Sequence, residues 1–115
     1  RLDLFKSASS ELMTALIPIA DDMDRAFTEF KKSENENLIK GFELIYNKLN
    51  DTLKANGLTV IVVNKGDVFD SEKHEAITQI KATDKKMVGK VVDVIETGYS
   101  LGEKILRYPK VVVAN

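Results

Sequence analysis

The sequence contains one histidine, His74, and the glutamate that follows it opens a pattern that zinc proteases complete with a second histidine one helical turn later. No second histidine exists, and there is no cysteine. A zinc ion here would have only carboxylates to complete its shell, against the usual ligand chemistry of such sites, so His74 is expected to serve a turn or the packing, and no metal is assigned. Asp21, Asp22 and Asp24 suggest magnesium, but on a helix they spread around the surface and read as a solvated face. A glycine-rich phosphate cradle and a nucleophile elbow are both missing, and Ser, His and Asp show no triad arrangement. Binding through shape is therefore expected, with no catalytic group and no cofactor.

Charge narrows the partners. Seventeen Lys and Arg against eighteen Asp and Glu leave a net charge of −1 with no basic block, so nucleic-acid binding lacks its electrostatic basis. The longest apolar runs, Ala15 to Ala20 and Leu58 to Val63, fall far below the roughly 20 residues of a membrane span. With 43% hydrophobic and 30% charged residues the chain has the balance of a folded, soluble protein. The lack of cysteine fits a reducing compartment, the cytoplasm or an organelle matrix. Because Arg1 already stands inside a helical pattern without an initiator Met, the polypeptide is expected to continue upstream.

Two periodicities divide the 115 residues. In the first half, Leu2, Phe5, Ser9, Leu12, Leu16, Ile19, Met23, Ala26 and Phe30 recur in steps of three and four, a heptad seam that asks for a partner helix. Met13, Ile17, Ala20 and Phe27 widen the stripe toward a bundle face, and Pro18 predicts a kink or restart between Leu16 and Ile19. Ser33 followed by Glu36 has the form of a capping box, so a second helix is expected there, with Leu38, Phe42, Ile45 and Leu49 on its apolar face. Asn56-Gly57 supplies its left-handed stop. Such a hairpin buries too little alone, and pairing two into a four-helix bundle predicts a homodimer. From Leu58 the pattern changes to short β-branched runs: Leu58 to Val63, near Ala76 to Lys81, Val91 to Ile95, Lys104 to Tyr108 and Val111 to Val113. Lys65-Gly66-Asp67, Asp84-Lys85-Lys86, Gly89-Lys90, Thr97-Gly98 and Gly102-Glu103 are read as breaks. The expected fold is α+β, with residues 1–57 a helical, dimer-forming part and residues 58–115 a small, mainly antiparallel β-domain.

Several segments resemble the GrpE family. The run Leu16-Ile17-Pro18-Ile19-Ala20-Asp21-Asp22-Met23-Asp24-Arg25-Ala26 is similar to that family's L-L-P-V-x-D-x-L-[DE]-R-A, and Gly41-Phe42-Glu43-Leu44 is similar to the G-[IV]-E-L of its second bundle helix. Phe69-Asp70 with His74-Glu75-Ala76 resembles F-D-P-x-x-H-[EQ]-A. Gly98-Tyr99-Ser100-Leu101, Ile105-Leu106-Arg107 and Val111-Val112-Val113 look like its closing strands. Departures fall in turns: Ser71 in place of Pro, Gly102-Glu103-Lys104 in place of Asn-Gly-Arg, and Pro109 one place late.

The resemblance implies a homodimeric co-chaperone of the stress response, with a paired-helix stalk mostly outside this sequence. Its partner would be the nucleotide-binding domain of a DnaK-type chaperone, whose ADP release it promotes without being an enzyme. Chaperone contact is then expected at Arg25, Gly41, Phe69, Ile95 and Lys104, and dimer contact at Leu12, Leu16, Ile19, Met23, Leu38, Phe42, Ile45 and Leu49. Plainer readings stand beside these. Phe69 and Ile95 could be β-domain core, Lys104 a solvated charge, and Arg25 the partner of Asp21 or Asp22. Gly41, costly inside a helix by about 1 kcal/mol, could serve close packing in the dimer. The rival function is a dimeric helical adaptor that presents its β-module to an unrelated protein.

Overall fold

The computed structural model describes residues 2–115, with side chains from residue 8 onward; the seam positions Leu2 and Phe5 lie outside the described side chains. Two compact units divide the chain, Arg1–Leu58 and Thr59–Asn115. The first is a helical hairpin of α1 (Leu2–Phe30) and α2 (Glu36–Ala55). The second carries two three-stranded sheets, so the fold is α+β.

Helix α1 continues through Pro18, so the predicted restart does not occur. Within a long helix, loss of one donor is local, and the apolar residues on either side keep their phase. Met13, Ile17 and Ala20 are buried, whereas Leu12 and Ile19 of the heptad seam stand 59% and 51% exposed. The wider stripe, not the strict heptad, is therefore the side turned inward within one chain. At the closed end of the hairpin Phe27 packs on Phe42 and Tyr46, with ring centroids 6.0 and 4.7 Å apart, and Phe30 lies 4.7 Å from Phe42. The Tyr46 hydroxyl donates to Asp24 on the facing helix.

Capping differs from the sequence expectation by two residues. Asn35, not Ser33, is the N-cap of α2: its Oδ1 accepts from the Leu38 amide at 3.1 Å, while Ser33 Oγ accepts from the Asn35 amide. Phe30 and Glu29 carbonyls still hold the Ser33 and Lys32 amides, so the end of α1 takes Ser33 and leaves the next good cap to start α2. At the other end Asn56 closes the last turn and Gly57 takes the left-handed φ of 93° that a side chain would resist.

In the second unit, β1 (Leu58–Ile61), β4 (Gly98–Leu101) and β5 (Lys104–Arg107) form one sheet in the order β1-β4-β5; β1 starts at the last residue of the helical unit. The other sheet runs β2 (Glu75–Ile80), β6 (Lys110–Ala114), β3 (Val91–Glu96). Strand β6 pairs parallel with β2 and antiparallel with β3. Its uninterrupted run of valines suits a central strand covered on both faces, and Val111, Val112, Val113 and Ala114 are all buried. Val91, Val111 and Val113 form the core, with Val63, Phe69 and Val94 against it.

Of the break expected at Thr97-Gly98, Thr97 does separate β3 from β4, while Gly98 itself opens β4. A strand there was hard to read because Gly98 lacks the β-branched signature. Gly102 and Glu103 make the two-residue turn between β4 and β5, with positive φ (59°) at Gly102 alone, the pattern of a type II′ hairpin. Lys85–Met87 forms a single turn of 3-10 helix capped by Asp84.

Candidate protein-docking site

The turn that follows Phe69 is built by its own side chains. Asp70 Oδ1 accepts from the Glu72 amide at 2.9 Å, the Asp70 carbonyl holds the Lys73 and His74 amides, and the Asp70 amide donates to His74 Nδ1 at 3.1 Å. That bond leaves the His74 proton on Nε2. The imidazole also lies 5.9 Å from the Phe69 ring. The histidine's lone pair is thus engaged in bracing the loop. Among the described residues no three His, Cys, Asp or Glu converge to hold a metal. Of the acidic group on α1, Asp22 pairs with Arg25 and Asp24 accepts from Tyr46.

Upstream, the Gly66 amide donates to the Val91 carbonyl, the Val91 amide to Asp67 and the Phe69 amide to Gly89. These bonds dock the loop on the start of β3 and drive Phe69 against the valine core, half-buried. Ile95, in contrast, is 54% exposed on β3. Lys104 is exposed where β5 leaves the hairpin turn. In the helical unit Arg25 is exposed beside Asp22, and Gly41 is exposed with open space where a Cβ would stand. The Phe27–Phe42 contact brings the neighbourhoods of Arg25 and Gly41 to the same end of the hairpin. Phe69, Ile95 and Lys104 come from three separate elements of the β-unit.

A charged brace that was not anticipated from the sequence holds the two sheets together. Glu96, ending β3, meets Arg107 Nη1 at 3.1 Å and Lys110 Nζ at 2.9 Å. Arg107 also donates from Nε and Nη2 to the Thr97 carbonyl at 2.9 and 2.6 Å, and its guanidinium lies 5.5 Å over the Tyr99 ring. Hydrogen bonding to Glu96, and its charge, raise the Lys110 pKa above the ordinary lysine value. The brace fixes β5, and with it the hairpin bearing Lys104, to β3 and β6. Its sequence signal was a single carboxylate closing one strand, with Arg and Lys flanking the gap between the last two.

The whole of residues 1–115 matches the GrpE family model. The chain belongs to the GrpE family. Protein GrpE of Bacteroides fragilis is 37% identical over 114 residues, which cover 98% of this chain and 58% of that protein. Protein GrpE of Parabacteroides distasonis is 38% identical over 114 residues with the same coverage, and that of Thermotoga neapolitana 38% over 112 residues, 97% of this chain and 64% of the relative. The chain thus spans under two thirds of the length of these GrpE relatives. On the GrpE-like segment of α1 the structure shows one side buried, through Ile17 and Ala20, and another open, through Ile19 and Arg25. No described helix is long and apolar enough to cross a membrane.

Proposed function

We propose that this chain is the dimerisation and docking portion of a nucleotide exchange factor: it binds the nucleotide-binding domain of a DnaK-type chaperone, opens its cleft and promotes ADP release. GrpE family membership across the whole chain is the observation that carries this reading. Residues 1–57 form the dimer and residues 58–115 the principal docking module. Leu12 and Ile19 on α1, and Leu38 and Ile45 on α2, are each seven residues apart and 47–60% exposed, the apolar stripes that a second hairpin would cover. Leu16, Met23, Phe42 and Leu49, partly buried on the same two helices, complete that bundle.

For chaperone contact the reading uses exposed Arg25, Gly41, Ile95 and Lys104, with Phe69 shaping the loop from within. No catalytic group is required. A factor that binds the open, nucleotide-free chaperone more tightly than the ADP form weakens ADP binding by the same ratio. A thousandfold loss of ADP affinity corresponds to about 4 kcal/mol of differential contact energy, within the range of an ordinary protein interface. Release of fluorescent ADP from a DnaK-type chaperone is expected to accelerate at least tenfold on addition of this chain. Binding without acceleration would favour the adaptor instead.

A further inference from the structure

The sheet β2-β6-β3 has an open edge. All six residues of β2 are exposed, among them Ile77 at 47% and Ile80 at 49%. Pairing with β6 is irregular between Ala76 and Thr78 and regular from Thr78 to Ile80. The Asn115 amide donates to the Ile80 carbonyl and the Ala82 amide to the Asn115 carbonyl, so Ile80 and Ala82 turn their main-chain groups toward β6. By strand alternation Gln79 and Lys81 turn theirs outward. Native sheets usually blunt such an edge with a central charge, a proline or a bulge; the irregularity here is confined to Ala76–Thr78, and the regular stretch Thr78–Ile80 carries neither charge nor proline.

Charge is polarised along this edge. Residues 70–75, before and at its start, hold three carboxylates and one lysine, and Ser71, Glu72, His74, Glu75 and Tyr108 line a shallow hollow there. Lys110, opposite Glu75, is drawn to Glu96. Residues 81–86, past its end, hold three lysines and one aspartate, and Lys81, Lys85 and Lys86 are exposed.

From this polarity and the open backbone we infer that β2 accepts an extended peptide strand, antiparallel, with an acidic start, a β-branched middle and a basic end. Main-chain bonds to Gln79 and Lys81 supply pairing, exposed Ile77 and Ile80 offer apolar contact, and the end charges fix direction. Antiparallel pairing is the slightly stronger mode per residue. The inference is independent of nucleotide exchange.

The test uses isotope-labelled protein and an eight-residue probe blocked at both ends: two glutamates, alternating valine and threonine over four residues, then two lysines. NMR titration is expected to shift resonances along residues 75–81 and slow amide exchange at Gln79 and Lys81 at least tenfold at saturation. Gln79→Pro removes an outward N–H without touching the bonds to β6, and Gln79→Val keeps it while losing the same side-chain bond to Asn115. The proline variant, with its β6 resonances unchanged, is expected to bind at least tenfold more weakly than the valine variant. Equal binding by the two variants, equal binding of a probe with the end charges exchanged, or no binding at millimolar probe would overturn the proposal. So would concentration-dependent self-association of the unliganded protein lost in Gln79→Pro, which would assign the edge to a second copy.

Discussion

Adding one methyl group to Gly98 should do more damage than adding one to any other glycine outside the left-handed region. An ideal Cβ there would stand 2.4 Å from Pro109 Cδ, 2.5 Å from its nitrogen and 2.9 Å from Cγ. Carbon atoms in contact prefer about 3.5–4.0 Å, so a movement of roughly 1 Å is demanded. Pro109 cannot yield by rotamer, since it is fully buried and its ring is tied to the main chain between β5 and β6. Overpacking of this kind costs about 1–3 kcal/mol, and a rigid obstacle places Gly98→Ala near the top. Reduced freedom of the unfolded chain returns about 0.4–1 kcal/mol, leaving a net loss of roughly 2–2.5 kcal/mol. A unit of about 57 residues has only some 3–9 kcal/mol of stability, so its melting point should fall by roughly 10–20 °C. Calorimetry with Gly41→Ala as the control would decide it. Gly41 has no atom within 4 Å of the built position, and alanine there should stabilise α2 by up to about 1 kcal/mol. Gly98→Ala melting within 3 °C of wild type would refute the steric argument.

Wild type is expected to sediment as a dimer, and Ile45→Asp, at a position 60% exposed in the hairpin, as a monomer with its helical circular dichroism kept; a dimer mass unchanged by the substitution would remove Ile45 from the interface. His74→Ala should cost about 1 kcal/mol by orphaning the Asp70 amide, measured by urea unfolding, while ADP release survives both it and chelation; a hundredfold loss from either would reinstate a metal site. Gly41→Asp should leave dimer mass intact and weaken chaperone binding at least tenfold, and normal binding by titration calorimetry would exclude Gly41 from the contact. Because the Lys110 pKa is raised, its contribution is fully present below the ordinary value of 10.5 and lost as pH rises through the higher folded value; urea midpoints should fall more steeply above about pH 10.5 in wild type than in Lys110→Met, and parallel curves would show that the Lys110–Glu96 pair contributes nothing.

Periodicity made both halves of the fold legible, because a step of three and four and a step of two are direct images of helix and strand. It failed where a residue's role is set by a distant neighbour. Ser33 and Asn35 are both good caps, and only the carbonyls at the end of α1 choose between them. Gly98 reads as a break until Pro109 is brought against it, after which the missing side chain is what lets the strand pass. Glu96 signals only a carboxylate at a strand end, and its pairing is hidden because its two partners lie 11 and 14 positions away on other strands. Of the residues singled out for docking, the sequence named their chemistry but not their exposure: Phe69 and Ile95 looked alike, and one is turned to the core while the other faces solvent.

The same ambiguity in α1 carries the strongest structural support for assembly. Two stripes are interleaved on that helix, one through Met13, Ile17 and Ala20 and one through Leu12 and Ile19, and a helix satisfying only its own chain needs one. Leaving Leu12, Ile19, Leu38 and Ile45 in water forgoes about 1.5–3 kcal/mol for each side chain that could be fully buried. A monomeric hairpin gains nothing from that arrangement. A second copy covering both stripes would recover it while leaving the polar neighbours Arg25 and Lys40 at the rim, so the proposed dimer and the proposed docking face make compatible demands on one placement of apolar residues.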